Sequence, residues 1–499
     1  MRNHDGLRFL AAVFFALSFS ANARAALPPV SQAGKNAYVH LFEWKWSDIA
    51  LECENFLGPM GYTGVQISPP NEHVVLPGNP WYERYQPVTY KLTSRSGTRE
   101  ELVNMVKRCK AVGVEIYADA LVNHMAGVNK TGKPLYGIAG SPYFDHLHPG
   151  LYGPGDFHYC GKNGDDHIIN YNDRWEVQNC NLAWCADLKT EDPAVREKIA
   201  GFLNDLLDTG VAGFRIDAAK HVPPAELQDI FSRVRKPFYA YQEVIDFGHE
   251  PIRAWEYFPT GDVTEFRFSS DVVRVFREGK LDWFVRFGEP WGYMSSGKAV
   301  VFIDNHDSQR SPWGMEYTHV NPRIYTLVNI FMLAWPYGHP QVMSSYRFKT
   351  HEDGPPAFAD GSTKPVWSAG AAACGPEWVC EHRWPQIARM TKLRLAAAGQ
   401  GVNNWWSNGN NQIAFSRGNK AFIAINRESA TLDREFETGL PVGDYCNVTG
   451  GNYDHPAPLP TADDCSNTDI IKVGTTGRAR ITVPPMQAVA LHVAAKQKR

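Results

Sequence analysis

The sequence predicts an α/β protein built on a parallel barrel, with a loop-rich insertion and an all-β module at its C-terminal end. Three apolar runs carry the first part of that prediction, because each finishes in carboxylates. Gly213-Phe214-Arg215-Ile216 delivers Asp217, Phe238-Tyr239-Ala240-Tyr241-Gln242 delivers Glu243, and Ala299-Val300-Val301-Phe302-Ile303 delivers Asp304-Asn305-His306-Asp307. Parallel barrels gather their reacting groups at the C-terminal ends of the strands and in the loops that follow. Strand-like and helix-like segments also alternate from about Ala37 to about Ala398, which is the rhythm of βα units. After Gly399 short alternating strands such as Gln412–Ser416 and Ala421–Ile425 take over, separated by turn signals at Asn408-Gly409 and Gly450-Gly451, and read as a β-sandwich.

Taken in order, the chain opens with a removable leader. Arg2 and Arg8 flank the start of an apolar run from Phe9 to Phe19, and Ala23-Arg24-Ala25 supplies a small-x-small cleavage site, so residues 1–25 are expected to be a signal peptide and the mature protein secreted, either extracellular or periplasmic. Tyr38–Phe42 reads as a strand, Trp46–Phe56 as a helix, and Gly64–Ser68 as a strand stopped by Pro69-Pro70. Glu100–Ala111 reads as an amphipathic helix leading into the strand Val114–Asp119. Between about Asn123 and Leu188 the rhythm fails and Gly, Pro, His, Asn, Asp and Tyr crowd in. A structureless loop of that length is improbable inside a barrel, so 123–188 is expected to be an inserted small domain. A helix over Pro193–Leu207 restores the βα rhythm, giving a barrel over 26–122 and 189–402 and a C-terminal domain over 403–499.

Composition narrows the partners. At 499 residues the chain exceeds one compact core. A formal charge of -3 leaves no electrostatic footprint for nucleic acid and no polybasic surface for anionic membranes, and no stretch after the leader is long and apolar enough to span a bilayer. Aromatic residues make up 12% of the chain, with 15 Trp, and the flat apolar faces of sugars stack on such rings. A monomer is the default expectation.

An exported chain with 9 Cys can hold disulfides. Cys374 with Cys380 closes a small loop and Cys446 with Cys465 staples another; Cys53 with Cys109 and Cys160 with Cys180 are the remaining expected pairs, leaving Cys185 unpaired. There is no CxxC and no HExxH to favour zinc. Asn129-Lys130-Thr131 and Asn447-Val448-Thr449 fit the glycan-acceptor pattern.

Taken together, the segments Asp119-Ala120-Leu121-Val122-Asn123-His124, Gly213 to His221, Gln242-Glu243-Val244-Ile245-Asp246 and Phe302-Ile303-Asp304-Asn305-His306-Asp307 resemble the alpha-amylase family of retaining glycoside hydrolases, in its animal type. The resemblance extends to Trp81-Tyr82-Glu83-Arg84-Tyr85-Gln86-Pro87, to Val342-Met343-Ser344-Ser345-Tyr346 and to the four Cys pairs. It implies a (β/α)8 TIM barrel, with the insertion as domain B and the sandwich as the C-terminal domain. The implied activity is endo-hydrolysis of α-1,4 links in starch, glycogen and malto-oligosaccharides.

Retaining hydrolysis needs one carboxylate as nucleophile and a second carboxyl roughly 5 to 5.5 Å away that serves as acid and then base. The resemblance assigns these roles to Asp217 and Glu243, with Asp307 as a third carboxylate that binds sugar hydroxyls. Arg215, two positions before Asp217 on the same strand face, is expected to keep Asp217 ionised, whereas Glu243 needs a raised pKa. Trp81, Tyr82, Tyr85, Gln86, His124, Tyr171, Lys220, His221 and His306 are implied as substrate contacts. Asn123, Gln178, Asp187 and His221 are implied as calcium ligands, Gln178 and His221 through backbone carbonyls. Two departures stand out. The chloride site of the family matches at Arg215 and Asn305, but Gln341 replaces its second basic residue, which implies activity that depends little on chloride. The family's glycine-rich loop after Gln309-Arg310 is replaced by Ser311-Pro312-Trp313-Gly314-Met315. A glucan transferase on the same fold and a non-catalytic sugar-binding protein are the rival readings, and the presence of all three carboxylates counts against the second.

Overall fold

Eight short runs pair in chain order into a closed parallel barrel: β1 (Tyr38–Leu41), β2 (Gly64–Ile67), β3 (Glu115–Leu121), β4 (Gly213–Asp217), β5 (Tyr239–Gln242), β6 (Asp262–Thr264), β7 (Ala299–Phe302) and β8 (His339–Ser344). The structure is a computed structural model that describes residues 36–127, 131–310, 321–463 and 469–497; the expected leader and the Ser311–Met315 departure lie outside them. Leu121 of β3 stands beside Asp217 of β4, and Ile216 of β4 stands beside Gln242 of β5. This register brings the ends of the three strands, and the carboxylates that follow, to one rim. Close strand approach also explains the glycine that opens β4, since a Cβ on Gly213 would lie 1.9 Å from the carbonyl oxygen of Tyr239.

Local signals set the helices. Arg99–Ala111 begins at a capping box in which Thr98 and Glu101 satisfy each other's backbone N–H groups. Pro193–Asp208 starts with Asp192 as its cap and Pro at the first position. The expected helix Trp46–Phe56 is broken: it stops at Glu52, widens into a π-turn over Cys53–Leu57 and ends with Gly58–Met60. Pro59 explains the break, because it has no N–H to donate to the carbonyl of Asn55 and its ring crowds that group.

From Asn123 to Leu188 the described chain carries two-residue strand pairs, a 3₁₀ turn over Pro154–Asp156 and the short helix Arg174–Val177. His124–Met125 pairs antiparallel with Ala186–Asp187, so the two ends of this excursion meet at the barrel rim. Beyond the barrel, Val402–Ser407, Gln412–Arg417, Ala421–Asn426 and Gln487–His492 form a four-stranded antiparallel sheet, accompanied by the pairs Leu432–Glu437 with Arg478–Val483 and Gly443–Cys446 with Ile470–Val473. Arg427 ties this module to the barrel by donating to the carbonyl of Phe276 at 2.6 Å.

Cys53–Cys109, Cys160–Cys180 and Cys374–Cys380 are joined as expected. Cys446 is also disulfide-bonded, while its expected partner Cys465 lies outside the described residues; Cys185 is free and buried. One glycan signal fails on burial. Asn447 is enclosed, with its Oδ1 accepting from the N–H groups of Thr449 and Ala490.

A fully buried ion pair joins the first helix to the turn Glu381–Arg383. Arg383 Nε and Nη2 donate to the two oxygens of Glu52 at 2.7 and 2.8 Å, and His382 Nε2 reaches Glu52 at 2.8 Å. Burial alone would raise the Glu52 carboxyl, but these donors hold it down at about 2. Replacing Glu52 by Gln leaves Arg383 a buried cation with no anion, so the account predicts a loss of about 3–5 kcal/mol. A thermal-unfolding midpoint unchanged in Glu52→Gln would contradict this.

Candidate active site

A cleft of about 610 Å³ opens at the C-terminal ends of the strands. Asp217, Glu243 and Asp307 line it, together with every expected sugar contact: Trp81, Tyr82, Tyr85, Gln86, His124, Tyr171, Lys220, His221 and His306. The strand ends supply the carboxylates, and the loops supply the walls.

Arg215 is the hub. It is buried, and its Nη1 donates to Asp119 Oδ1 at 2.7 Å and also to Asp217 Oδ1, while its Nη2 lies 3.0 Å from Glu243 Oε1. Glu243 takes its other bond from the backbone N–H of Ala218, at 2.8 Å. Ala218 adopts a left-handed conformation, φ 48°, which turns that N–H toward Glu243 directly after Asp217. One guanidinium therefore fixes the geometry of two carboxylates delivered by neighbouring strands.

One cation cannot neutralise the several acids around it. Burial, then the charge of Asp217, raises the Glu243 carboxyl above its ordinary value despite Arg215. Burial likewise lifts Asp119 to about 7, against the pull of Arg215. Asp307, whose side chain is 41% exposed at the mouth of the cleft, is drawn up to about 7 by desolvation within the cleft and the nearby charge of Glu243. Histidines near Arg215 move the other way. Burial and the guanidinium charge lower His40 to about 3 and hold His306 well below its ordinary value, so both rings stay neutral.

The aromatic wall is built on the 3₁₀ turn Trp81–Tyr85. Trp81 Nε1 donates to the carbonyl of His351 at 2.8 Å, and Tyr85 stacks flat on His306 with centroids 4.9 Å apart. Tyr85 also donates its hydroxyl to Asp119 at 3.0 Å, which links the aromatic wall to the charge cluster.

Behind Glu243 lies a closed pocket of about 10 Å³, lined among others by Arg215, Asn305 and Gln341. That is room for one water-sized occupant. Gln341 is already engaged: its Nε2 donates to Gln66 Oε1 at 2.6 Å and to the Tyr241 hydroxyl at 3.1 Å. Gln66 Nε2 in turn reaches Asp119 at 3.2 Å. Where a second cation would have faced Glu243, a neutral hydrogen-bonded chain runs back to Asp119.

The expected calcium residues meet at the neck of the insertion. The Asn123 carbonyl accepts from Leu188 beside Asp187, His221 Nδ1 binds the Val177 carbonyl at 2.8 Å, and Gln178 Nε2 reaches the Lys220 carbonyl at 3.5 Å. Asp187 is buried, and burial lifts its carboxyl to about 6. A single buried carboxylate among amide and backbone oxygens suits a hard, oxygen-preferring cation. Among the described residues no group of three or more His, Cys, Asp or Glu could hold a metal ion.

Several contributors escaped the sequence reading. Asp119 was visible only as part of a motif, yet it is the closest partner of Arg215 after Asp217. His158 Nδ1 lies 2.6 Å from Asp187, and nothing in the spacing announces that pair. Trp184, Cys185, His351 and Glu352 also line the cleft. Cys185 was noticed only as unpaired; against the pull of burial, its sulfur and the charge of Asp217 help raise the His124 imidazole to about 10.

Comparison with known proteins agrees with this architecture. Residues 56–257 match the alpha amylase catalytic domain family, and residues 405–494 match the alpha amylase C-terminal all-beta domain family. The chain is 46% identical over 495 residues to an alpha-amylase of Pecten maximus, covering 94% of each chain. It is 43% identical to an alpha-amylase of Oryzias latipes, covering 94% of this chain and 96% of that one. A solved structure of a mutant alpha-amylase I from Eisenia fetida in complex with maltohexaose superposes with a TM-score of 0.84 at 38% identity, covering 93% of this chain and 98% of that one.

The raised acids make the folded state pH-sensitive. Asp307 keeps its proton up to about pH 7 when folded, whereas it releases it near pH 4 when unfolded. Its contribution to stability is therefore complete below about pH 4 and is lost as pH rises through about 7. Asp307→Asn is expected to raise the thermal midpoint more at pH 8 than at pH 5; the same effect at both pH values would refute the assignment.

Proposed function

Since this chain belongs to the alpha-amylase family of enzymes, we propose that it cuts internal α-1,4-glucosidic bonds of starch, glycogen and malto-oligosaccharides with retention of configuration, through a covalent glycosyl-enzyme intermediate. The observation that carries the reading is the Arg215 bridge between Asp217 and Glu243, with Glu243 raised above its ordinary pKa. Arg215 holds the nucleophile in place, and burial raises the acid so that it holds its proton more firmly.

In the first half of the reaction Glu243 gives its proton to the glycosidic oxygen as the bond from C1 to that oxygen breaks, and a carboxylate oxygen of Asp217 bonds to C1. In the second half Glu243, now a carboxylate, takes a proton from the incoming water as its oxygen bonds to C1 and Asp217 leaves. Two inversions return the α-anomer. Arg215 stays in place throughout and offsets the charge that moves between the two acids. Asp307, in the turn after β7, accepts hydrogen bonds from sugar hydroxyls and favours the cationic transition state. Trp81, Tyr82 and Tyr85 stack on the glucose rings, and His124, Lys220 and His306 hydrogen-bond their hydroxyls. The maltohexaose complex of the Eisenia fetida relative supports a linear α-glucan as the ligand.

We further propose a calcium ion held by Asn123, Asp187 and the backbone carbonyls of Gln178 and His221. When bound, it supplies a fixed charge that pins the insertion to the barrel. Those residues flank His124 and Lys220 in the chain, so their role is to hold the cleft wall in shape. The proposed domain limits are 26–122 with 189–402 for the barrel, 123–188 for the insertion and 403–499 for the C-terminal module. Disulfides and the animal relatives support an extracellular location, and among the described residues no helix is long and apolar enough to cross a membrane.

The test is to follow soluble starch by NMR with the parent chain and with Asp217→Asn. The parent is expected to release new reducing ends promptly as the α-anomer. Asp217→Asn is expected to lose nearly all turnover, on the order of 10⁴-fold or more, while still binding oligosaccharide. Release as the β-anomer, or full turnover by the variant, would overturn the role of Asp217.

A further inference from the structure

Two exposed tryptophans stand on turns tied to the wall of the cleft. Trp175 is 52% exposed and Trp255 is 62% exposed. Neither donates its indole N–H nor stacks on another ring among the described residues. Trp175 belongs to the turn Arg174–Val177 and Trp255 to the turn Ala254–Tyr257, 80 positions further along the chain by subtraction of their numbers. The residues next to them clamp the two turns together. Arg174 Nη1 and Nη2 donate to the two carboxylate oxygens of Glu256 at 2.9 and 2.7 Å, and Nη2 also donates to the Pro251 carbonyl at 2.7 Å. Such a fork fixes orientation more than it adds stability, because the pair is partly exposed. It places two indoles on adjacent turns and leaves the surface between them without net charge.

Both turns grip the wall of the cleft from behind. The carbonyl of Val177 binds His221 Nδ1 at 2.8 Å, while the hydroxyl of Tyr257 donates to the carbonyls of Val222 at 2.8 Å and Lys220 at 3.3 Å. Lys220 and His221 line the cleft, and so does Tyr171. The loop of Tyr171 is held to the Trp175 turn by Glu176, which accepts from the N–H of Asn170 at 2.8 Å. The loop that brings Tyr171 into the cleft is thus tied to the turn that carries Trp175.

We propose that Trp175 and Trp255 form an outer platform for a neutral α-glucan chain that leaves the cleft past Lys220. The platform rests on the reading of the cleft as a glucan site and extends it. Two exposed indoles held on fixed turns, uncharged overall and tied to the wall of that site, match the apolar faces of consecutive glucose rings. Only chains long enough to reach the platform gain from it.

The experiment compares the parent with the Trp175→Ala/Trp255→Ala double variant. Retention in native gels containing soluble starch is measured in a Glu243→Gln background, and kcat/KM is measured in the active background on starch and on a chromogenic maltotrioside. The double variant is expected to lose roughly five- to tenfold in starch retention and in kcat/KM on starch, while activity on the maltotrioside stays at the parent level. Trp175→Phe/Trp255→Phe should restore most of the retention. Unchanged retention would overturn the platform, and so would an equal loss on the maltotrioside, which would place the damage in the cleft. A concentration-dependent dimer of the parent that disappears in the double variant would assign the surface to a second copy and likewise overturn it. Because retention is read without turnover, a parent that binds starch but releases no reducing ends would count against the hydrolytic reading alone.

Discussion

The guanidinium of Arg215 is the constraint on which the rest of the cleft depends. It is buried at the end of β4, touching Asp119 from β3, Asp217 on its own strand and Glu243 after β5. Without it three carboxylates from adjacent strands would face one another in a low-dielectric rim, and at least one would have to protonate or turn away. With it they hold fixed positions, but the charge balance is incomplete. That shortfall is what leaves Glu243 and Asp307 raised while Asp217, bonded directly to the guanidinium, keeps its own cation.

The surroundings are arranged around this deficit. A second cation beside Glu243 would lower that acid and leave it less often protonated. Gln341 occupies the place instead, and its amide is drawn away from Glu243 into bonds with Gln66 and Tyr241. His40 and His306 stay neutral because Arg215 repels a further positive charge in a buried setting. His306 can then stack flat against Tyr85, so the charge cluster and the sugar wall share one packed layer.

Much of this was legible in the sequence because strand ends are local features. An apolar run that stops at a carboxylate marks both the barrel and its rim, and Asp217, Glu243 and Asp307 were found that way. The three-residue strand β6 (Asp262–Thr264) offers no periodicity to read, and Pro59 inside an otherwise helical pattern was passed over. Pairings between distant positions were out of reach for a different reason: they depend on how loops return to the rim. Asp187 with His158, Gln341 with Gln66 and Arg174 with Glu256 carry no mark in spacing or composition, although each residue type is unremarkable alone. Asn447 shows the converse, a motif that is present in sequence and buried in the fold.

The most direct test of the account is the rate at which new reducing ends form from soluble starch in chloride-free buffer containing calcium, before and after chloride is added. If Arg215 is already balanced by its own carboxylates and Gln341 is committed to Gln66 and Tyr241, the rate is high without chloride and changes little when it is added. A steep rise on adding chloride would contradict the account, because it would mean that an anion beside Arg215 is needed to raise Glu243, a task the account gives to burial and Asp217.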